Sequence, residues 1–348
     1  MLRRLWRRIR AHPVASQPSR PADGRASAED LRAARTGDTG APGVGGAELE
    51  DRFAGLVLGV SSSMEISPNR FETRVLAGLE RLCSTPTLPA DLVPRTPGIL
   101  PRLWSALRRD GGSFSALADV CARDPVLVRE VLRLANSPYY RGRAEVTGLE
   151  QALVLLGEAG IRQVMVNAAF RPLLLLDSGH FARLAAPLLW TQGEWTARLG
   201  DCLARRVGID RFAAYLSGIA QNIGFTVALR VLDRHFTGRE APRSRAFRER
   251  FVRDARALSV RIVQGWEFPA AVGVAVREQG GNRTRARSPL GEVLYAADKL
   301  AKLQALKTHG AVPQTAAWAD PAPCAGWGDL CRVCARTIDP AVAGASSV

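Results

Sequence analysis

Imidazoles, thiols and carboxylates hold metal ions and move protons, and this chain deploys them sparsely. Its four histidines, His12, His180, His235 and His309, lie far apart, and none is followed by aspartate. Each reads as a surface or satisfied core histidine before a catalytic one. The C-terminal stretch is denser. Cys331 and Cys334 form a C-x-x-C pair, Cys324 lies seven residues earlier, and His309 stands further upstream. Four such donors can bind zinc tetrahedrally, but the irregular spacing favours reduced cysteines without a metal. Arginine is the other concentrated chemistry. Between residues 239 and 256 seven arginines face three acids, and Arg277, Arg283, Arg285 and Arg287 follow. Arg243, Arg245, Arg248, Arg283, Arg285 and Arg287 are the candidate anion-binding set if both segments share one side of the fold. A solvated charged helix face explains the same run.

Elements must position these groups, and composition bounds what they can be. The chain has 348 residues, 47% of them hydrophobic, enough for one large or two ordinary domains with a substantial core. No apolar run approaches the roughly 18 residues of a spanning helix, and no apolar segment follows the basic N-terminus, so a cytoplasmic protein is expected. In that compartment the six cysteines should stay reduced. The formal charge of +15 invites a polyanion partner, yet all but three of the 48 basic residues are arginine, a skew that a GC-rich genome produces by itself. Nucleic acid is therefore a possible partner that is not favoured. Residues 1–10 place Leu2, Leu5, Trp6 and Ile9 on one face of a short basic helix that could touch an anionic membrane. From Pro13 to Gly46 large apolar residues almost vanish, which predicts a flexible linker.

Beyond it the pattern is helical throughout. Phe71, Val75, Leu76, Leu79 and Leu82 form one buried stripe, and a Pro-rich joint spans residues 85–101. Phe114, Leu117 and Cys121 form the next stripe. Asp124 then caps a helix that starts on Pro125 and buries Val128, Val131, Leu132 and Ala135, and Asn136, Ser137 and Pro138 end it. Thr147 and Glu150 have capping-box spacing, and Gly157 suits a left-handed stop. No sustained two-residue alternation occurs, so periodicity and caps alone predict an all-α fold.

Several of these features occur in an order that resembles the HD-related output domain (HDOD) family. They are Leu100-Pro101, Asp124-Pro125, Asn136-Ser137-Pro138-Tyr139-Tyr140, Gln151-Ala152 with Leu156-Gly157, Trp266-Glu267-Phe268-Pro269, and the helix around Asp298. The resemblance covers roughly residues 90–308. It implies an HD-like helical bundle with an N-terminal helical subdomain, and a role in bacterial signalling. Four segments are expected: a disordered basic arm and linker (1–46), a helical lead-in (47–87), the HDOD domain (88–308) and a C-terminal tail (309–348). Residues 88–308 are expected to fold without the first 46.

HD phosphohydrolases need imidazoles and carboxylates converging on metal ions that activate water. Where the resemblance calls for histidine and aspartate, this chain has Gln221 and Asn222, with Gln192 and Glu194 on the preceding helix. Glu278 and Gln279 stand where relatives often show histidines, and Asp298 survives alone in the closing helix, as a cap or ion pair more readily than a ligand. No catalytic residue, bundle metal or cofactor is therefore expected. The expected role is a non-catalytic regulatory module acting on unknown signalling proteins. The alternatives are a nucleotide- or nucleic-acid-binding protein using the arginines, or a residual phosphohydrolase.

Overall fold

The computed structural model describes residues 43–338 except 61–62, 90, 94–97, 99, 102–113, 137–144, 176–178, 281–286, 320–330, 332–333 and 336–337. The basic arm and most of the expected linker lie outside the described residues, as do Ser137, Pro138, Arg283, Arg285 and Cys324. The described chain is helical, as the periodicity predicts. The helices are α1 (Gly46–Val57), α2 (Arg70–Ser84), α3 (Phe114–Ala122), α4 (Pro125–Ala135), α5 (Leu149–Leu174), α6 (His180–Val207), α7 (Arg211–Ala220), α8 (Ile223–His235), α9 (Arg245–Gly265), α10 (Ala270–Glu278) and α11 (Pro289–Thr308). Two short strands, β1 (Gly43–Val44) and β2 (Ala317–Trp318), pair in parallel.

Helices α3 and α4 pack on each other and on α5, forming the N-terminal subdomain. In the bundle, α6 lies against α7 and α11, α8 against α9, and α10 against α11. Trp266 and Phe268 knit the two parts together. Their rings sit 6.1 and 5.8 Å from that of Phe170 on α5, the spacing that edge-to-face aromatic pairs prefer. Asp124 accepts hydrogen bonds from the amides of Val126 and Leu127 ahead of Pro125, as read from the sequence. Val131 and Ala135 are buried as expected and Leu127 joins them, whereas Val128 and Leu132 are half-buried. No capping box forms at Thr147, because α5 begins after Gly148 without a side-chain cap. Gly157 has φ +62°, a conformation that favours glycine, but it kinks α5 instead of ending it.

The lead-in and the tail both belong to the bundle. Helix α2 packs on α8 and α9, and α1 packs on α6, α9 and α11. Leu49, Phe53 and Val57 of α1 are fully covered, each worth about 1.5–3 kcal/mol of apolar burial. Val44, on the arm side of the expected boundary at Gly46, closes a small apolar cluster with Leu49, Leu303, Leu306, Val312 and Ala316. At the other end Cys331, Cys334 and Ile338 are buried in the main core.

Among the described residues, two stretches reach the length and apolarity of a membrane-spanning helix, contrary to the sequence reading: Leu149–Leu174, and Arg211–His235, which runs through α7 and α8. The second is 94% buried inside the bundle, as a core helix is, and the first is kinked at Gly157.

Candidate functional site

Helices α7 and α8 are separated by Gln221 and Asn222, which cap the end of one and the start of the next. Asn222 makes no side-chain cap, so its amide is available to the core. Two close backbone approaches hold this break in place. Gly218 lies against the backbone of Thr196 and Ala197 on α6, and Gly224 lies against Ala255 and Ser259 on α9, with no room for a Cβ at either position. Ser259 Oγ donates to the Gln221 carbonyl at 2.6 Å and accepts from the Gly224 amide at 2.9 Å. Asn222 Nδ2 donates to Gln192 Oε1 at 2.6 Å.

Asp298 comes from the middle of α11 and is 3% exposed. Its Oδ1 accepts from Gln192 Nε2 at 2.8 Å and from Gln221 Nε2 at 3.0 Å. Its Oδ2 accepts from Lys302 Nζ at 2.7 Å, one helical turn further along α11. Lys302 also donates to both carboxylate oxygens of Glu50 on α1, each at 2.9 Å. Arg256 of α9 binds the same two oxygens through Nη2 at 3.1 and 3.0 Å, and Lys299 donates to Oε1. Five charged groups from three helices thus form one network, and buried charges persist only when paired in this way.

Electrostatics follow from that geometry. Burial alone would raise the pKa of Glu50, but Arg256, Lys302 and Lys299 hold it well below the ordinary value. Burial opposes the charge on Arg256, yet Glu50 and Asp298 raise its pKa above the usual one. For Lys299, burial outweighs the attraction of Glu50 and, with the like charge of Lys302, lowers its pKa. A cavity of about 10 Å³, room for about one water, is lined by Phe53, Gln221, Asn222, Phe225, Arg256, Val276, Gln279, Asp298 and Lys302.

Four of the five positions assigned by the resemblance, Gln221, Asn222, Gln279 and Asp298, therefore converge. Glu278 does not join them. Its carboxylate accepts from the Ser288 amide and hydroxyl, where Ser288 caps α11. Gln279 reaches the cavity wall while donating to the carbonyls of Ala275 and Gly291. Asn136 clamps backbone, its Nδ2 donating to the carbonyls of Leu132 and Val146 and its Oδ1 accepting from the Val146 amide, although its φ of −91° is not left-handed. Leu156 is buried beside Gly157, and Pro269 precedes α10.

Sequence reasoning missed Glu50, Lys299 and Lys302, and read Arg256 only as part of a charged run. A signal was present. The chain has three lysines, and two of them stand one and four residues after Asp298. In a chain that otherwise uses arginine, a compact ammonium retained twice on one helix face marks a place where the flat guanidinium does not fit.

Of the six candidate anion-binding arginines, Arg283 and Arg285 lie outside the described residues, and three of the other four are already engaged. Arg248 is 1% exposed, donates to the Val60 carbonyl and pairs with Asp51. Arg245 binds Glu65 and Glu249, Arg287 stacks 3.9 Å from the Tyr295 ring centre beside Glu292, and Arg243 is exposed. The expectation that all cysteines stay reduced is corrected at one pair, since Cys202 and Cys334 form a disulfide across a Cα–Cα distance of 6.0 Å. That bond uses one sulfur of the candidate zinc set, and His309 Nδ1 lies 2.9 Å from the Ala305 carbonyl, so those two donors are engaged elsewhere.

Solved structures share this architecture. An HDOD domain protein of unknown function from Geobacter sulfurreducens matches at 17% identity and TM-score 0.51 over 77% of this chain and 98% of its own. A protein assigned to signal transduction from Marinobacter aquaeolei VT8 matches at 20% identity and TM-score 0.54, over 80% of this chain and 66% of its own. A protein assigned to the metal-dependent phosphohydrolases from Shewanella amazonensis SB2B matches at 15% identity and TM-score 0.50, over 78% and 100%. No curated protein matches the chain. The family model of the HDOD domain matches residues 93–280, more than half of the sequence, and the chain belongs to the HDOD family.

Proposed function

We propose that this protein is a non-catalytic regulatory module of signal transduction whose HD-type site holds an internal salt-bridge network in place of metal, and which acts through protein partners. One observation carries the reading: the Lys302 ammonium lies between Asp298 and Glu50 at 2.7 and 2.9 Å, a position in which it neutralises the carboxylates that a cation would need. The surrounding donor set does not fit a divalent metal. Gln192 and Gln221 turn N–H groups toward Asp298, and Arg256, Lys299 and Lys302 would oppose a further positive charge. Activating water at neutral pH requires several anionic or imidazole donors around an open position. Membership of the HDOD family and the fold shared with a protein assigned to signal transduction support the regulatory part.

The test combines metal analysis of tag-free protein with a turnover assay on a nucleotide panel supplemented with manganese and iron. We expect neither bundle metal nor phosphate ester hydrolysis. Near-stoichiometric metal that disappears in Asp298→Ala together with turnover would overturn the reading. Affinity capture with the full chain and with residues 1–46 deleted then identifies partners. One stoichiometric protein supports signalling, and nucleic acid in the eluate supports the polyanion alternative.

A further inference from the structure

Glu50 binds more cations than it can balance. Arg256, Lys299 and Lys302 converge on its carboxylate, and with Asp298 the network sets three cations against two anions. Among the described residues the polar groups around them, Gln192, Gln221, Asn222 and Gln279, are neutral amides, and the surplus positive charge otherwise faces the rings of Tyr295, 5.2 Å from Lys299, and Phe53, 5.4 Å from Lys302. The network is also open at one corner. The side chains of Glu50 and Arg256 keep 21% and 22% of their surface, whereas those of Asp298, Lys299 and Lys302 keep about 5%. The water-sized cavity shares Arg256, Asp298 and Lys302 with this network.

We propose that Glu50 is an internal substitute for a phosphate group, and that when its side chain turns out to solvent Arg256, Lys299 and Lys302 form a binding site for a phosphate monoester or free phosphate. Charge and shape both support this. With Glu50 withdrawn, three cations face Asp298 alone, a surplus of two, which matches the charge of about −1.5 to −2 on a phosphate monoester at neutral pH. Arg256 Nη2 and Lys302 Nζ each reach both oxygens of the present carboxylate, so their donors already converge on one oxyanion. The same two cations also line the water-sized cavity, so a ligand on them has space on that side as well. Because Glu50, alongside the Asp51–Arg248 pair, ties α1 to the helices beneath it, occupation by the ligand loosens that helix and couples binding to its position. The inference rests on the non-catalytic reading, since the ligand is held and not hydrolysed.

The test uses the full chain with inorganic phosphate and AMP as probes. Titration calorimetry compares wild type, Glu50→Gln and Glu50→Gln/Lys302→Gln, and hydrogen exchange follows the amides of residues 46–57. Wild type is expected to bind saturably, Glu50→Gln at least ten-fold more tightly because its internal competitor is gone, and the double variant at least ten-fold more weakly than Glu50→Gln. Binding of inorganic phosphate identifies the free anion as sufficient, and binding of AMP alone identifies a monoester. Should Glu50→Gln not fold, Glu50→Asp, which withdraws the charge by one methylene, is expected to bind more tightly than wild type. Exchange in α1 of the wild type should accelerate with ligand. Phosphate released from AMP would overturn the non-catalytic reading and with it the claim that the ligand is held intact, whereas the outcomes that follow overturn this inference alone. Absence of saturable binding to wild type and to the Glu50 variant, affinity indifferent to Lys302→Gln, or unchanged exchange in α1 would overturn the inference.

Discussion

Lys302→Met removes the ammonium that joins two carboxylates while keeping the length and apolar stem of the side chain. Among the described residues Asp298 then loses its one cation within hydrogen-bonding distance, since Arg256 stands 3.8 Å away, and keeps the two amide donors Gln192 and Gln221. Glu50 loses one of three cations and retains Arg256 and Lys299. Breaking a buried pair by removing one partner costs ~3–5 kcal/mol; the remaining amide donors and cations put this substitution at the lower end, about 3 kcal/mol. Urea denaturation should show a lower midpoint with an unchanged slope. Adding Asp298→Asn to the same protein removes the stranded carboxylate, so the double variant should be more stable than Lys302→Met alone, with a coupling of at least ~1 kcal/mol. A Lys302→Met protein within ~0.5 kcal/mol of wild type, or strict additivity in the double variant, would refute the claim that this network holds the bundle together.

The folded-state pKa of Glu50 is depressed, so its contribution is complete above its unfolded value of ~4.3 and is lost as pH falls through the lower folded value. Acid unfolding monitored by circular dichroism should therefore be steeper below that pH in wild type than in Glu50→Gln. Deleting residues 1–42 should leave the midpoint of unfolding unchanged, whereas the fragment 88–308, expected from sequence to fold alone, lacks α1 and α2 and should be markedly destabilised or unfolded; an equally cooperative fragment would show that α1 and α2 are dispensable. Breaking the Cys202–Cys334 disulfide with a thiol reductant or Cys334→Ser should cost ~2–4 kcal/mol, and equal stability with and without reductant would show that the bond does not hold the C-terminal segment.

The features legible in the sequence are local ones. The Asp124–Pro125 cap, the stripe on α2, the glycine conformation at position 157 and the break at Asn136 are each set by a few neighbouring residues, and each stands in the structure where its chemistry placed it. What was not legible depends on distant partners. Glu50 is 249 residues from Lys299 and 252 from Lys302, and Val44 pairs with a strand at Trp318. No periodicity carries such information. The Thr147 capping box failed because matching spacing does not fix which residue takes the cap conformation. On α4 the buried row keeps Val131 and Ala135 and takes in Leu127 where periodicity put Val128.

The choice of lysine over arginine gives the network its physical logic. Lys302 must satisfy Asp298 on its own helix and Glu50 on another at nearly equal distances, beside the Phe53 ring 5.4 Å away. An ammonium can do so because its three donors radiate from one atom, whereas a guanidinium presents a plane suited to one bidentate partner. The cavity beside it holds about one water, so the larger head of Lys302→Arg would have to displace Asn222, Gln279 or Phe53. Overpacking of that kind costs ~1–3 kcal/mol even though charge is conserved. Arg256, at the open corner with 22% of its side chain exposed, has the room for a guanidinium and spreads its donors over two partners, Nη2 on the Glu50 carboxylate and Nη1 on the Gln279 carbonyl at 3.1 Å. Lys302→Arg should therefore destabilise the protein measurably in urea, and Arg256→Lys should cost less because the exposed corner tolerates a smaller head. The reverse ranking would mean that charge alone, and not the shape of each cation, determines how this site is filled.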